Sequence, residues 1–266
     1  LSLPKFDRPK KTTAWAREAI NELDANLREF FSPKPRGPIL HGSMVHGQVM
    51  EIDSETGHEI HKFKLLKTLP SSLDRRATEA LNNLRNAFDQ AVYAACASIG
   101  EPPKKGNRHF PWRQDPTDLG RTLEKGSIPT KLWDVIKREE PYPTGNGYAG
   151  GDDIIRKIAT LANKKHTVGL TITPRITSYT HPSIAGSGNH VMIPMPQWDK
   201  VKNEMIMAIV SPGMDVKHDY KVEFQVALDV PAPLGDIPAI SLLNAFANRA
   251  ARFTEKIEAE CKIIMQ

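Results

Sequence analysis

Apolar residues recur with a helical period in several long stretches of this chain, and with shorter, extended spacing between them. From about 12 to 31, Trp15, Ala19, Ile20, Leu23, Leu27 and Phe30 share one helix face, with Thr12 or Thr13 placed to cap it. The proline-rich run Ser32 to Pro38 stops that helix. Met44 to Ile52 and His58 to Leu66 read as two strands around Asp53-Ser-Glu-Thr-Gly57, whose Asp and Gly supply hairpin turn chemistry. A long helix follows over about 71–99, with Leu73, Ala77, Ala80, Leu81, Leu84, Phe88, Ala91, Val92 and Ala95 in one stripe. Gly100, Pro102 and Pro103 end it.

Further on, Glu101 to Pro116 forms a basic loop that closes on the aromatic anchor Phe110-Pro-Trp112. Short helices are predicted at 117–124 and 130–139, and a longer one from Asp152-Asp153 to about His166, with Ile154, Ile155, Ile158, Leu161 and Ala162 inward. Strands are expected at 167–176, 190–195, 203–211 and 217–229, and a last amphipathic helix from Ile237 to Ile264. The sum is an α+β fold, a central helical bundle with an N-terminal β-hairpin and additional C-terminal antiparallel strands. A single domain is expected over 1–266, with a helical core about 70–166, a β-rich segment about 167–230 and a C-terminal helix about 237–264.

Composition narrows this picture only modestly. The 266 residues are 39% hydrophobic, enough for a core of their own, and 36 Lys+Arg against 31 Asp+Glu give a net charge of +5. Such a charge permits a polyanionic partner without demanding one. Cys96 and Cys261 stand among apolar helical residues, so they read as small core hydrophobes in a reducing compartment rather than a disulfide. No apolar run has the length of a membrane span, and Leu1 to Lys10 lacks the apolar centre of a signal peptide. The expectation is a cytoplasmic protein with no membrane partner.

Two polar clusters carry the candidate chemistry. On the far side of the long helix, Asn82, Asn86, Asp89 and Tyr93 follow at i+4, i+3 and i+4 steps with Arg85 at their border, where an ordinary wetted face would carry Lys and Glu. A solvated face or a structural hydrogen-bond seam explains this stripe more economically than a site does. At the end of the 152–166 helix, Asn163 and His166 are one turn apart beside Lys164 and Lys165. His166 is the right type for a general acid or base, and Lys164, Lys165 or Arg85 for steadying a phosphate. Spacing alone favours the plainer reading, cations set against the negative end of the helix dipole.

Other chemistry finds little support. The Gly-rich run 145–151 precedes a helix but lacks the Lys-Ser or Lys-Thr of a phosphate loop, and Asp152 and Asp153 put negative charge where a phosphate would sit. His58 and His61, three apart on a strand, point to opposite faces, and no metal-ligand spacing occurs. No metal and no cofactor are therefore expected. There is also no Gly-x-Ser-x-Gly elbow.

Three features in order, Asn83-Leu-Arg-Asn-Ala-Phe-Asp-Gln90, Phe110-Pro-Trp112 and Leu161-Ala-Asn-Lys-Lys-His166, resemble a widespread, uncharacterised group of bacterial proteins. Those proteins carry a Leu-Arg-x-Ala-Leu-Asp helix, a Phe-Pro element and an Asn-x-Asp-Lys-His segment leading into a strand. The likeness covers roughly residues 70 to 175. Asn163, Lys165 and His166 match by type, while Lys164 replaces an Asp and Phe88 a Leu. More remotely, the helical middle resembles the HEPN superfamily, many of whose members are metal-independent ribonucleases of toxin–antitoxin and phage-defence systems. Their signature is Arg, four to six residues, then His. Arg36 to His41 and Arg175 to His181 have that spacing but fall in a Pro-Gly segment and a predicted strand and loop, and His166 has no Arg at that distance.

The resemblance implies an RNA-binding protein, with metal-independent RNA cleavage as the chemistry. In that reading His166 is the acid or base, Asn163 positions it, Asp89 orients the histidine or pairs with Arg85, and Arg85, Lys164 or Lys165 faces a phosphate. Lys104, Lys105 and Arg108 of the basic loop are the further candidates for contact with nucleic acid. The alternative is a non-catalytic interaction or assembly protein, a homo-oligomer or one docking a protein partner. A small-molecule enzyme is the third possibility.

Overall fold

A computed structural model describes residues 3–31, 45–101, 109–126, 128–145, 147–164, 172–179, 182–195, 197–199, 201–217, 222–228 and 237–266, with backbone alone at 163–164, 172–173, 175–179 and 222–224. The fold is α+β, with helices and antiparallel strands as the hydrophobic pattern requires. Two compact units emerge. A helical unit holds residues 1–24, 74–170 and 240–266, and a β-rich unit holds 25–73 and 171–239.

Four long helices contribute to the helical unit: α1 (Asp7–Phe31), α2 (Ser71–Ser98), α5 (Asp153–Lys164) and α6 (Ala239–Ile264), with the shorter α3 (Pro116–Lys125) and α4 (Trp133–Lys137) between α2 and α5. Helix α1 starts five residues before the expected 12, because Pro9 falls in its first turn, where a missing N–H leaves no bond unmade. Neither threonine caps it. Thr12 Oγ1 donates to Gln90 Oε1 at 2.7 Å, and Thr13 Oγ1 to the Pro9 carbonyl at 3.0 Å. The α2 stripe is buried throughout, and Gly100 ends that helix in the left-handed region at φ +80°, a conformation glycine adopts without strain.

Phe88 of α2 forms an aromatic cluster with Phe110, Trp112 and Phe253 of α6, with ring centroids 4.6 to 5.1 Å apart. Such spacings and the mixture of tilted and stacked pairs suit the ring quadrupoles. Glu258 of α6 binds the start of the chain, accepting the Leu3 amide at 2.8 Å and pairing with Lys10 at 2.5 Å and Lys262 at 3.3 Å. Cys96 and Cys261 are free thiols, and burial pushes them up to about 11 and about 12, as inert core residues require.

In the β-rich unit, β1 (His46–Ile52) and β2 (Glu59–Leu65) form the expected hairpin. Asp53 Oδ1 accepts the amides of Glu55 and Thr56, and Gly57 takes φ +72°. The hairpin does not stand apart from the C-terminal strands. Together with β5 (Val191–Met192) and β6 (Glu204–Val210) it makes one antiparallel sheet in the order β1-β2-β6-β5, with a bulge between His61 and Lys62. The expected strand at 190–195 pairs over only two residues. The expected 217–229 run divides into β7 (Asp215–Lys217), paired with β4 (Ser183–Ala185), and β8 (Val222–Leu228), paired with β3 (Ile172–Tyr179). Residues 167–171 lie outside the described residues.

Candidate functional site

On the helical unit, α2 offers the site. Its apolar stripe fixes the rotation of the helix, so Arg85, Asn86, Asp89 and Tyr93 fall on the opposite side. Asn86 and Tyr93 are exposed, whereas the Asp89 side chain is only 17% exposed. Its carboxylate is shared between two consecutive residues: Oδ1 accepts the Phe110 amide at 2.8 Å, and Oδ2 lies 3.3 Å from Nδ1 of His109. Burial pushes the Asp89 carboxyl above its ordinary value, against the opposing pull of the Phe110 amide, His109 and Arg85.

The His109 side chain is 70% exposed. An Nδ1–H donated to ionised Asp89 leaves the Nε2 lone pair for proton transfer, with a guanidinium one helical turn before the carboxylate. This arrangement can accept a proton from a hydroxyl and stabilise a nearby anionic oxygen.

Asp89 meets His109, a histidine that the pattern of polar positions did not single out, while His166, the partner expected for it, lies outside the described residues. A local signal was available. Phe88 and Asp89 are adjacent on α2, and His109 and Phe110 are adjacent in the loop, so the packing of Phe110 on Phe88 carries His109 to Asp89.

Of the other expected site residues, Lys104, Lys105, Arg108, Lys165 and His166 lie outside the described residues. Asn163 and Lys164 are the last two residues of α5, and only their backbone is described.

The Gly-rich run before α5 uses its polar groups internally. Gly151 donates its amide to Glu140 at 2.9 Å, Thr144 donates its amide to Asp153 at 3.1 Å and its hydroxyl to the same carboxylate, and Asp152 caps Ile155 at 2.9 Å. In the β-rich unit, the His58 ring stacks on His190 at 4.5 Å, and His61 Nε2 is 3.5 Å from Glu59. Among the described residues no group of three His, Cys, Asp or Glu side chains is placed to hold a metal ion, and no helix is long and apolar enough to cross a membrane.

No family model, curated protein or solved structure matches the chain.

Proposed function

We propose that the chain binds RNA through its phosphates and cleaves it without a metal, as a HEPN-like helical core of a toxin or defence system would, with His109 as the proton-transfer group. The observation that carries this reading is the Asp89–His109 pair, an exposed imidazole backed by a largely buried carboxylate one helical turn from Arg85. In the reaction, His109 Nε2 takes the proton of a ribose 2′-hydroxyl. The 2′-oxygen then bonds to the adjacent phosphorus, the bond to the 5′-oxygen breaks, and that oxygen leaves with a proton taken from water or from His166. A 2′,3′-cyclic phosphate remains, and Arg85 stabilises the charge on the non-bridging oxygens.

The test is cleavage of a mixed RNA in the presence of chelator. Wild type should yield 2′,3′-cyclic ends, His109→Ala should lose roughly 100-fold or more, and Arg85→Gln should weaken binding and flatten its salt dependence by about one unit of slope. Equal cleavage by the folded His109→Ala protein would remove His109 from the reaction. Absence of both binding and cleavage in the wild type would overturn the reading.

A non-catalytic assembly role is favoured by a separate feature. Both outer strands of the four-stranded sheet show apolar side chains to solvent, Met50 and Ile52 on β1, Val191 and Met192 on β5, and Ile193 and Met195 beyond it. Exposed apolar edges of this kind serve in pairing between chains. Light scattering over a concentration series tests it: a monomer at high concentration would exclude self-assembly, and a dimer broken by Met192→Lys would support it.

A further inference from the structure

Asp53 donates its amide to the His58 carbonyl at 2.9 Å, and Leu66 donates its amide to the Val45 carbonyl at 2.7 Å. These bonds flank an unbroken antiparallel register of β1 on β2, from His46 opposite Leu65 to Ile52 opposite Glu59. Antiparallel ladders alternate, so Gly47, Val49 and Glu51 direct their backbone groups to β2, and His46, Gln48, Met50 and Ile52 direct theirs outward. β1 is the last strand of its sheet, with no described strand beyond it.

Edge strands are ordinarily blunted by a lysine, a proline, a bulge or shortness. The opposite edge has two of these guards, since β5 pairs over two residues and Pro194 follows it. β1 has none. Its seven residues, His-Gly-Gln-Val-Met-Glu-Ile, include no Pro, Lys or Arg, and the bulge of the sheet lies on the far side of β2. Its one carboxylate, Glu51, is drawn back to Lys62 of β2 at 2.5 Å. Met50 and Ile52 stand 52% and 68% exposed on the face that buries Phe63 and Leu65.

The strand also complements itself. Set antiparallel to a second copy with Val49 opposite Val49, it places Gln48 opposite Met50 and His46 opposite Ile52, all four with backbone groups turned toward the partner. Glu51 then meets Gly47, whereas the register that sets Glu51 opposite itself opposes like charges. Val49 forms a β-branched pair on the two-fold axis, and the two Met50 side chains approach diagonally across it. We infer that β1 pairs in this register with β1 of a second copy, joining two four-stranded sheets into one continuous sheet. The inference rests on the assembly reading above and deepens it by naming the edge and the register.

Sedimentation of the whole chain over a concentration series tests it, together with oxidative cross-linking of Val49→Cys. Cys96 and Cys261 are buried, so the introduced thiol is the one that reports. Residues opposed without hydrogen bonds stand about 4.5 Å apart at Cα, within the span of a disulfide. The wild type should dimerise, and Met50→Lys should weaken the dimer about tenfold or more by placing two ammonium groups beside the axis. Met192→Lys on the β5 edge should leave it unchanged. Val49→Cys should cross-link, and Glu55→Cys in the exposed hairpin turn should not. A wild type that is monomeric at every concentration overturns both this inference and the assembly reading. A dimer that survives Met50→Lys overturns the β1 pairing alone, and its loss in Met192→Lys would assign assembly to β5 instead. Cross-linking of Glu55→Cys as efficient as that of Val49→Cys would likewise overturn the register.

Discussion

Asp89 holds two neighbours at once: its Oδ1 accepts the Phe110 amide at 2.8 Å while Oδ2 stands 3.3 Å from His109 Nδ1. The first contact is structural and the second positions the imidazole, so the two roles separate by substitution. Asp89→Ala orphans the Phe110 amide and should lose about 1–3 kcal/mol, whereas Asp89→Asn keeps an acceptor and should lose under about 1 kcal/mol. The pH dependence has a definite sign. Burial raises the folded carboxyl above its ordinary value, so the charged form is penalised near neutrality, and the penalty lifts as pH falls through the folded value. Urea melts should therefore show Asp89→Asn closest to wild type at neutral pH and falling behind on acidification. A gap that narrows with acid would contradict the assignment.

Phe110 links the fold to the site. It is buried and touches the rings of Phe88, Trp112 and Phe253 within 5 Å of centroid separation. Phe110→Ala removes this contact and leaves a cavity, for a loss of about 3–5 kcal/mol in denaturant unfolding. Because the same ring fixes the residue before it, the variant should also broaden the His109 signals in NMR spectra even where the protein is folded. A sharp, unshifted His109 in Phe110→Ala would show that Asp89 alone sets its position.

What the sequence disclosed, and what it withheld, follows from the range of each force. The stripes of α2 and α6 and the Asp53 turn are local, so their spacing gave the elements to within a few residues. Pairing of β2 with β6 joins residues far apart in sequence, and no short pattern specifies it. The site divides in the same way. Asp89 stood out as a lone charge in a polar stripe, but its histidine arrived through the packing of Phe88 on Phe110.

The β-rich unit carries a buried charge cluster that sequence spacing also hid. Lys62, 9% exposed at its side chain, bonds Glu204 at 3.0 Å and Glu51 at 2.5 Å, and Lys64 reaches Glu204 at 3.3 Å. Burial alone would raise the Glu204 carboxyl, yet the two ammonium groups outweigh it and lower it. Lys62→Ala strands a buried carboxylate and should lose about 3–5 kcal/mol, and replacing Lys62 and Glu204 together by Met and Leu should be nearly neutral. Glu51 is half-exposed, so Glu51→Ala should lose under about 1 kcal/mol. A double-mutant cycle in urea checks all three, and additive losses from Lys62 and Glu204 would mean that the pair does not act as a unit.

Glu258 gives the clearest acid dependence. Burial by itself would raise its carboxyl, but Lys10, the Leu3 amide and Lys262 reverse that and bring it down from 4.5 to about 2. A depressed carboxyl stabilises the fold above its unfolded value and loses that contribution as pH falls through the folded one. The shift corresponds to about 3 kcal/mol at neutral pH, at 1.36 kcal/mol per unit. Glu258→Gln should therefore lose about 2–3 kcal/mol at pH 7, and the difference from wild type should shrink between about pH 4.5 and pH 2. Lys10→Met should reproduce part of the loss, because its ammonium is 2.5 Å from the carboxylate. The same melts also report on the start of the chain, since the Leu3 amide donates to Glu258 Oε1 at 2.8 Å. A Glu258→Gln loss independent of pH would place the stabilisation in packing rather than in charge.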